Sequence, residues 1–213
     1  MDYNSLTSPK GTAGSIANWV NFSDALLPLA DILADAQTFI YERLRVREMK
    51  TIGTISLVQG DILTALPAST LDVICLYDQY NNKIRPREAA SLLGRRTVDS
   101  TGAWNQGQPG YYSIWDESFQ FDYAANAAMT FNYLIYRTPA PLSGTNTTNF
   151  LTTRFPQLLR YACLMSAADF LNDDGKYNRF MQRFSALGES ANQTEDQQMW
   201  GMEADPDYSE SRF

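Results

Sequence analysis

The sequence predicts an α+β fold: a helical bundle made of N- and C-terminal helices, an antiparallel β layer inserted between them, and an extended C-terminal arm. Three observations lead there. Apolar residues recur at three-and-four spacing toward both ends of the chain, the signature of helices that face a core. Between them the spacing shortens to two, among Thr, Ile and aromatic residues, as in half-buried strands. After Gly188 the apolar period lapses and acids take over. The divisions fall at residues 1–50 for the N-terminal helices, 51–138 for the β region with one short helix, 139–188 for a C-terminal helical hairpin and 189–213 for an acidic arm.

Each element has a local reason. Ile16, Ala17, Trp19 and Val20 make a short first helix. Leu29, Ile32, Leu33, Ala36, Phe39, Ile40 and Leu44 form one stripe of a longer second helix. Pro28 suits its first turn, where no N–H is needed. Asp31 and Asp35 come early and Arg43, Arg45 and Arg47 late, the order the helix dipole favours. "TIGTISLVQGDILTALP" and "LDVICLYD" read as strands, and "RPREAASLLGRR" as a short helix begun by Pro86 and closed by Gly94. "NQGQPGYY" is a loop, "YYSIWDESFQFDY" a hairpin turning at residues 116–118, and "AMTFNYLIYR" a strand ended by the two prolines of "TPAP". A helix starts near Pro156 and runs to about Leu171, apolar almost all round. The short "NDDG" link then sets a second helix antiparallel to it. That second helix carries Tyr177, Phe180, Met181, Phe184 and Leu187 on one stripe, with Gly188 as its closing residue.

Composition bounds the function. Hydrophobic residues at 44% and charged residues at 19% describe a globular chain. No apolar run approaches the roughly 20 residues of a membrane span. The opening "MDYNSLTSPK" lacks the order of a secretory signal, so a soluble protein made in the cytoplasm is expected. Cys75 and Cys163 are too few for a disulfide framework and read as buried thiols. Of 24 acids and 17 bases, seven acids and one base follow Gly188. That segment thus carries −6 of the total −7 and leaves a nearly neutral body. Nucleic acid is therefore not the partner of the arm.

Familiar chemistry is missing. With no histidine there is no Ser-His-Asp or Cys-His arrangement, and the commonest metal ligand is absent. No Gly-rich phosphate loop occurs. Aligning Gly175 of "NDDGKYNRF" with the turn glycine of a calcium loop puts Phe170 at the first ligand position, so the loop fails. Asp116, Glu117 and Asp122 could supply paired carboxylates, but the first two stand at a turn, where acids are expected anyway. The Asn-x-Ser/Thr triplets at Asn21, Asn146 and Asn192 read as chance. No cofactor, metal or enzymatic activity is expected.

Two features remain. The basic groups Arg43, Arg45, Arg47 and Lys50, then Lys83, Arg85, Arg87, Arg95 and Arg96, are either a solvated helix end and loop or a surface complementary to a partner's acids or to passing DNA phosphates. The acidic arm carries Met199, Trp200, Met202, Tyr208 and Phe213. Burying five side chains on the chain's own body does not offset the cost of ordering so many backbone residues. The arm is therefore expected to be mobile in the free protein and ordered by a partner, and deletion of residues 190–213 to leave the fold intact.

The order of these segments resembles the head–tail adaptor (connector) proteins of tailed bacteriophages, especially of short-tailed phages. The resemblance runs through "YERLRVREMKTIGT", "ALPASTLDVI", "GQPGYYSI" and "LIYRTPAPLS" to "TNFLTTRFPQLLRYACLMSAADFLNDD", the most specific block, and covers residues 24–190. It implies a non-enzymatic virion protein at the head–tail junction, assembled as a ring, usually of twelve copies, beneath the portal protein. Such a ring extends the DNA channel, passes DNA without sequence-specific binding and presents a platform for tail nozzle or fibre proteins, while C-terminal arms reach onto the portal. The alternative is a β-rich carbohydrate- or receptor-binding tail component, which needs Tyr111, Tyr112, Trp115 and Phe119 exposed together on the hairpin.

Overall fold

Chain contacts divide the protein into two units, Met1–Glu48 with the chain from Pro139 onward, and Met49–Thr138. The computed structural model describes residues 1–23 and 26–200, and for 196–200 the backbone alone. The fold is mixed α+β, with several helices and a large, mainly antiparallel sheet.

The chain opens with the short α1 (Tyr3–Leu6), held by a capping box. The Asp2 carboxylate accepts the Ser5 N–H at 2.8 Å and the Ser5 hydroxyl accepts the Asp2 N–H at 3.1 Å. α2 (Ile16–Val20) buries Ile16 and Ala17. α3 (Leu29–Arg43) buries the predicted stripe from Leu29 to Ile40, with Phe39 half-buried; Pro28 stands one place earlier than expected, as the N-cap. Gln37 lies on the same buried face. Its amide donates to the Leu33 carbonyl at 3.3 Å and accepts the Leu142 N–H at 2.6 Å, so the buried polar group is satisfied.

The second unit contains β1 (Lys50–Leu57), β2 (Leu63–Ala65), β3 (Thr70–Asp78), β4 (Lys83–Pro86) and the short α4 (Ala89–Leu93). It continues with β5 (Gln106–Gly107), β6 (Tyr111–Trp115), β7 (Ser118–Phe121), β8 (Ala124–Ala125) and β9 (Met129–Arg137). Seven strands form one sheet in the order β1-β9-β3-β4-β6-β7-β2, while β5 and β8 pair separately. The sheet curls until its two outer strands meet, where the Thr64 hydroxyl donates to the Ser56 carbonyl at 3.0 Å. Leu57, Leu76, Ile84, Tyr112, Phe119, Phe121 and Phe131 pack together as its core. The Phe121 and Phe131 rings stack at 4.8 Å.

Three expectations change here. The layer is not wholly antiparallel, because β4 pairs parallel with β6 and β5 parallel with β8. Pro86 ends β4 instead of opening a helix, and α4 starts at Ala89. β5 interrupts what reads as a loop. The hairpin turn falls where expected. Asp116 and Glu117 both adopt φ 52°, the left-handed pair of a two-residue type I′ turn, between Trp115 and its register partner Ser118. Gly53 is required for a different reason. A Cβ there would meet the Tyr133 hydroxyl at 2.4 Å, because the ring of this cross-strand partner lies over the glycine.

The chain returns to the helical unit with α5 (Phe150–Thr153), α6 (Pro156–Phe170) and α7 (Asp174–Trp200). Asn149 caps α5, its side-chain oxygen accepting the Leu151 N–H at 3.0 Å and the Thr152 N–H at 3.3 Å, while its NH2 donates to the Tyr41 hydroxyl at 3.2 Å. α6 buries Leu158, Leu159, Ala162, Cys163, Leu164, Met165, Ala167 and Ala168 and packs against α2, α3, α5 and α7. Tyr161 meets Phe180 while Leu158 lies by Gly188, so α6 and α7 run antiparallel. The largest correction is the length of α7, which passes through Gly188 and continues to Trp200.

Candidate interaction surfaces

The buried face of α7 does not stop where its apolar stripe stops. Phe184 and, three turns on, Glu195 are both buried, with Gly188, Ala191 and Asn192 half-buried between them. What this stretch packs against explains the change of chemistry. The end of α3 presents backbone groups that have no partner within the helix. The Asn192 NH2 donates to the Arg43 carbonyl at 3.1 Å, and its oxygen accepts the Arg45 N–H at 2.9 Å. Glu195 accepts the Arg47 N–H at 3.1 Å and pairs with Arg154, whose guanidinium also pairs with Glu48. Burial alone would raise the Glu48 carboxyl; hydrogen bonding and the adjacent Arg154 and Arg47 charges outweigh it and hold the group below its ordinary range.

The basic residues named from sequence fall in both units. In the helical unit Arg45 turns back on its own helix and donates to the Tyr41 and Leu44 carbonyls, both at 2.9 Å. Arg43 lies 3.5 Å from the centroid of the Phe39 ring and Arg47 stands 3.6 Å from Glu48, and both keep exposed heads. A helix end and its carbonyls thus engage much of the cluster that reads as one partner-facing surface.

In the sheet unit Lys50 begins β1 with its ammonium 5.7 Å from the Tyr136 ring. β4 alternates, turning Ile84 into the core and leaving Lys83 and Arg85 exposed. The guanidiniums of Arg87 and Arg95 approach the Tyr111 ring at 4.2 and 4.5 Å. A hydrogen bond from Arg87, then the charges of Arg87, Arg95 and Arg85, lower the pKa of the Tyr111 phenol. Arg96 behaves differently, its guanidinium donating to the Phe121 carbonyl at 2.9 Å and the Gln120 side chain at 3.0 Å. Exposed Arg85 and Arg95 therefore form one basic patch with the half-buried Arg87, and Arg96 is a structural brace.

A family model described as SU10 adaptor protein matches residues 10–206. The chain belongs to the SU10 adaptor protein family. It is a head–tail adaptor of tailed phages, a structural role with its place in the virion. No curated protein matches the chain. The family match extends past Trp200, so it includes Met199, Trp200 and Met202 of the arm. Met202, Tyr208 and Phe213 lie outside the described residues, and of Met199 and Trp200 only the helical backbone is described.

The remaining candidates in this SU10 adaptor are placed as follows. Asp116 and Glu117 are exposed at the tip of the turn, and Asp122 is buried with its carboxylate accepting the Gly110 and Tyr111 N–H groups at 3.0 and 3.1 Å. The three do not converge on a cleft. Tyr112 and Phe119 are core residues, so the hairpin offers no platform of four exposed aromatics. Both cysteines are free thiols, but only Cys163 is buried as expected, and burial pushes it up to about 12; Cys75 is half-buried. Among the described residues no helix is long and apolar enough to cross a membrane, and no cluster of His, Cys, Asp or Glu is placed to hold a metal.

Sequence reasoning did not single out Glu195 or Arg154, and named Asn192 only as the start of an Asn-x-Thr triplet read as chance. Their signal was present as spacing: 184, 188, 191 or 192, and 195 continue the helical period of the α7 face with small and polar residues.

Proposed function

We propose that this adaptor assembles as a ring on the portal of a short-tailed phage, extends the DNA channel and provides the platform for tail nozzle or fibre proteins. The helical bundle and the β layer inserted into it form the body of each subunit, and the segment after α7 is the arm that reaches the portal. The observation that carries this reading is the junction of Asn192 and Glu195 with residues 43–47, which ties α7 to the body and so sets where the arm departs. A defined departure point matters in a closed ring, since every copy must present its arm at the same angle. Met199 and Trp200 at the end of α7, and Met202, Tyr208 and Phe213 in the arm beyond it, supply the apolar contacts with the portal. Arg43, Arg47, Arg85 and Arg87 face acidic partners or passing phosphates without reading base sequence; Arg45 supports the group on the helical unit and Lys50 the group on the sheet unit.

The test is native mass spectrometry of the full chain mixed with purified portal rings, beside a chain ending at Trp200. The expected result is a stoichiometric complex with the full chain and none with the shortened one, at unchanged Tm. Equal binding by the shortened chain would remove the arm from the interface, and no complex with the full chain would overturn the reading.

A further inference from the structure

A cleft of about 300 Å³ on the helical unit belongs to neither surface described above. Trp19 of α2, Arg160 and Tyr161 of α6, and Arg179, Phe180 and Arg183 of α7 line it. Three guanidiniums thus share a concave site with three aromatic rings, and no acid is among the lining residues. Arg179 and Arg183 are one turn apart on α7, a like-charge pairing that isolated helices disfavour. The Arg160 guanidinium lies 5.1 Å from the Trp19 ring centroid. Among the described residues none of the three has a carboxylate partner, in contrast to Arg154 and Lys176. Concave shape and aromatic walls suit a peptide better than the convex backbone of a duplex, and the charge calls for an acidic one.

We propose that the cleft seats residues 203–210 of a second copy of this chain, an inference that rests on the oligomeric part of the proposed function. The sequence there is "EADPDYSE", following Met202. Acids and apolar groups alternate. Seated in extended form, the segment would put Glu203, Asp205 and Asp207 on one side and Met202, Ala204, Pro206 and Tyr208 on the other. The acidic side meets Arg160, Arg179 and Arg183 of the neighbour, and the apolar side stays available to the portal.

Chain length selects a second copy over the same one. Arg183 and Arg179 precede Trp200 by 17 and 21 residues of α7, or about 26 and 32 Å at the helical rise. Asp205 and Asp207 follow Trp200 by five and seven residues, at most about 18 and 25 Å of extended chain. Side chains on a helix lean toward its N-terminus, here away from Trp200, which widens the gap. Glu203, Asp205 and Asp207 of one chain therefore fall short of its own Arg179; Glu210, ten residues past Trp200, spans about 36 Å but belongs to the other side of such a strand. A cleft on α7 of one copy that takes the segment following α7 of the next makes a head-to-tail contact, the kind that generates rings.

Sedimentation velocity of the full chain without portal tests this across a concentration series in low and high salt. Self-association is expected, weakened at least tenfold by 1 M salt, by the cleft variant Arg179→Glu/Arg183→Glu and by the arm variant Asp205→Lys/Asp207→Lys. Mixing the two variants restores association, because the arm of the first fits the cleft of the second, and combining all four changes in one chain restores it as well. A wild-type chain that stays monomeric, or variants that associate like wild type, would overturn the proposal. Both arginines are exposed, and an unchanged Tm establishes that the variants fold. Because no portal is present, this outcome is independent of whether the portal is bound.

Discussion

Glu195 on α7 accepts the backbone N–H of Arg47 just beyond α3 at 3.1 Å, while its other carboxylate oxygen is paired with Arg154. One buried acid therefore joins three parts of the helical unit and fixes the last turns of α7 to the end of α3. Replacing it with alanine strands a guanidinium and an amide. Glu195→Ala is expected to cost about 2–3 kcal/mol, since hydrogen bonds to charged groups are worth about 1.5–3 and Arg154 keeps Glu48. Urea unfolding measures this. A loss under about 0.5 kcal/mol, the scale of an ordinary surface change, would show that the junction is not structural.

Gly188 lies inside α7, and a Cβ there would meet only the Leu158 Cδ1 at 4.0 Å, ordinary contact. Gly188→Ala is therefore expected to stabilise the protein by about 0.5–1 kcal/mol, by relieving the helix of a glycine. A destabilised variant would mean that the helix terminates at this residue.

Gly53→Ala is expected to act in the opposite direction. Its Cβ would strike the Tyr133 hydroxyl and ring, and moving that ring disturbs the face that packs on the sheet core. A cost of about 1–3 kcal/mol is expected, the range of overpacking, read as a lower urea midpoint with an unchanged slope.

Acid should weaken both units. Burial alone would raise the Asp78 carboxyl, but hydrogen bonds from the Asn82 side chain and from the Asn82 and Tyr80 amides, with a further one from Gln108, hold it below its ordinary value. Glu48 is lowered in the helical unit. A depressed carboxylate contributes stability that is present above its unfolded pKa, about 4, and lost as pH falls through the folded value. Stability should therefore be level from pH 7 to about 5 and fall below about 4. Asp78→Asn should be less stable at pH 7 and show a shallower acid decline.

How much of this was legible follows from where each residue finds its partner. The α3 stripe from Leu29 to Ile40 was readable because its period is local and its partners are apolar. The I′ turn at Asp116 and Glu117 was likewise placed by the alternation on either side. β4 escaped because a single inward residue, Ile84, establishes no period. Arg45 read as a surface charge because nothing in sequence reveals that the Tyr41 and Leu44 carbonyls await it. The continuation of α7 was missed for a related reason. A helix that packs on another helix's exposed backbone needs Asn192 and Glu195 on its buried face, so the hydrophobic signal ends while the packing does not. Deletion of residues 190–213, expected from sequence to leave the fold intact, would remove both residues, so a shortened chain that keeps the junction ends after Glu195.

The measurement that bears most directly on the account is electron cryomicroscopy of the phage portal incubated with the full chain. The expected result is a ring of this chain added to the portal, coaxial with its channel, with density for residues after Trp200 on the portal surface and an acidic stretch in the Arg160, Arg179 and Arg183 cleft of the next copy. Bare portal rings beside a folded, monomeric chain would contradict it.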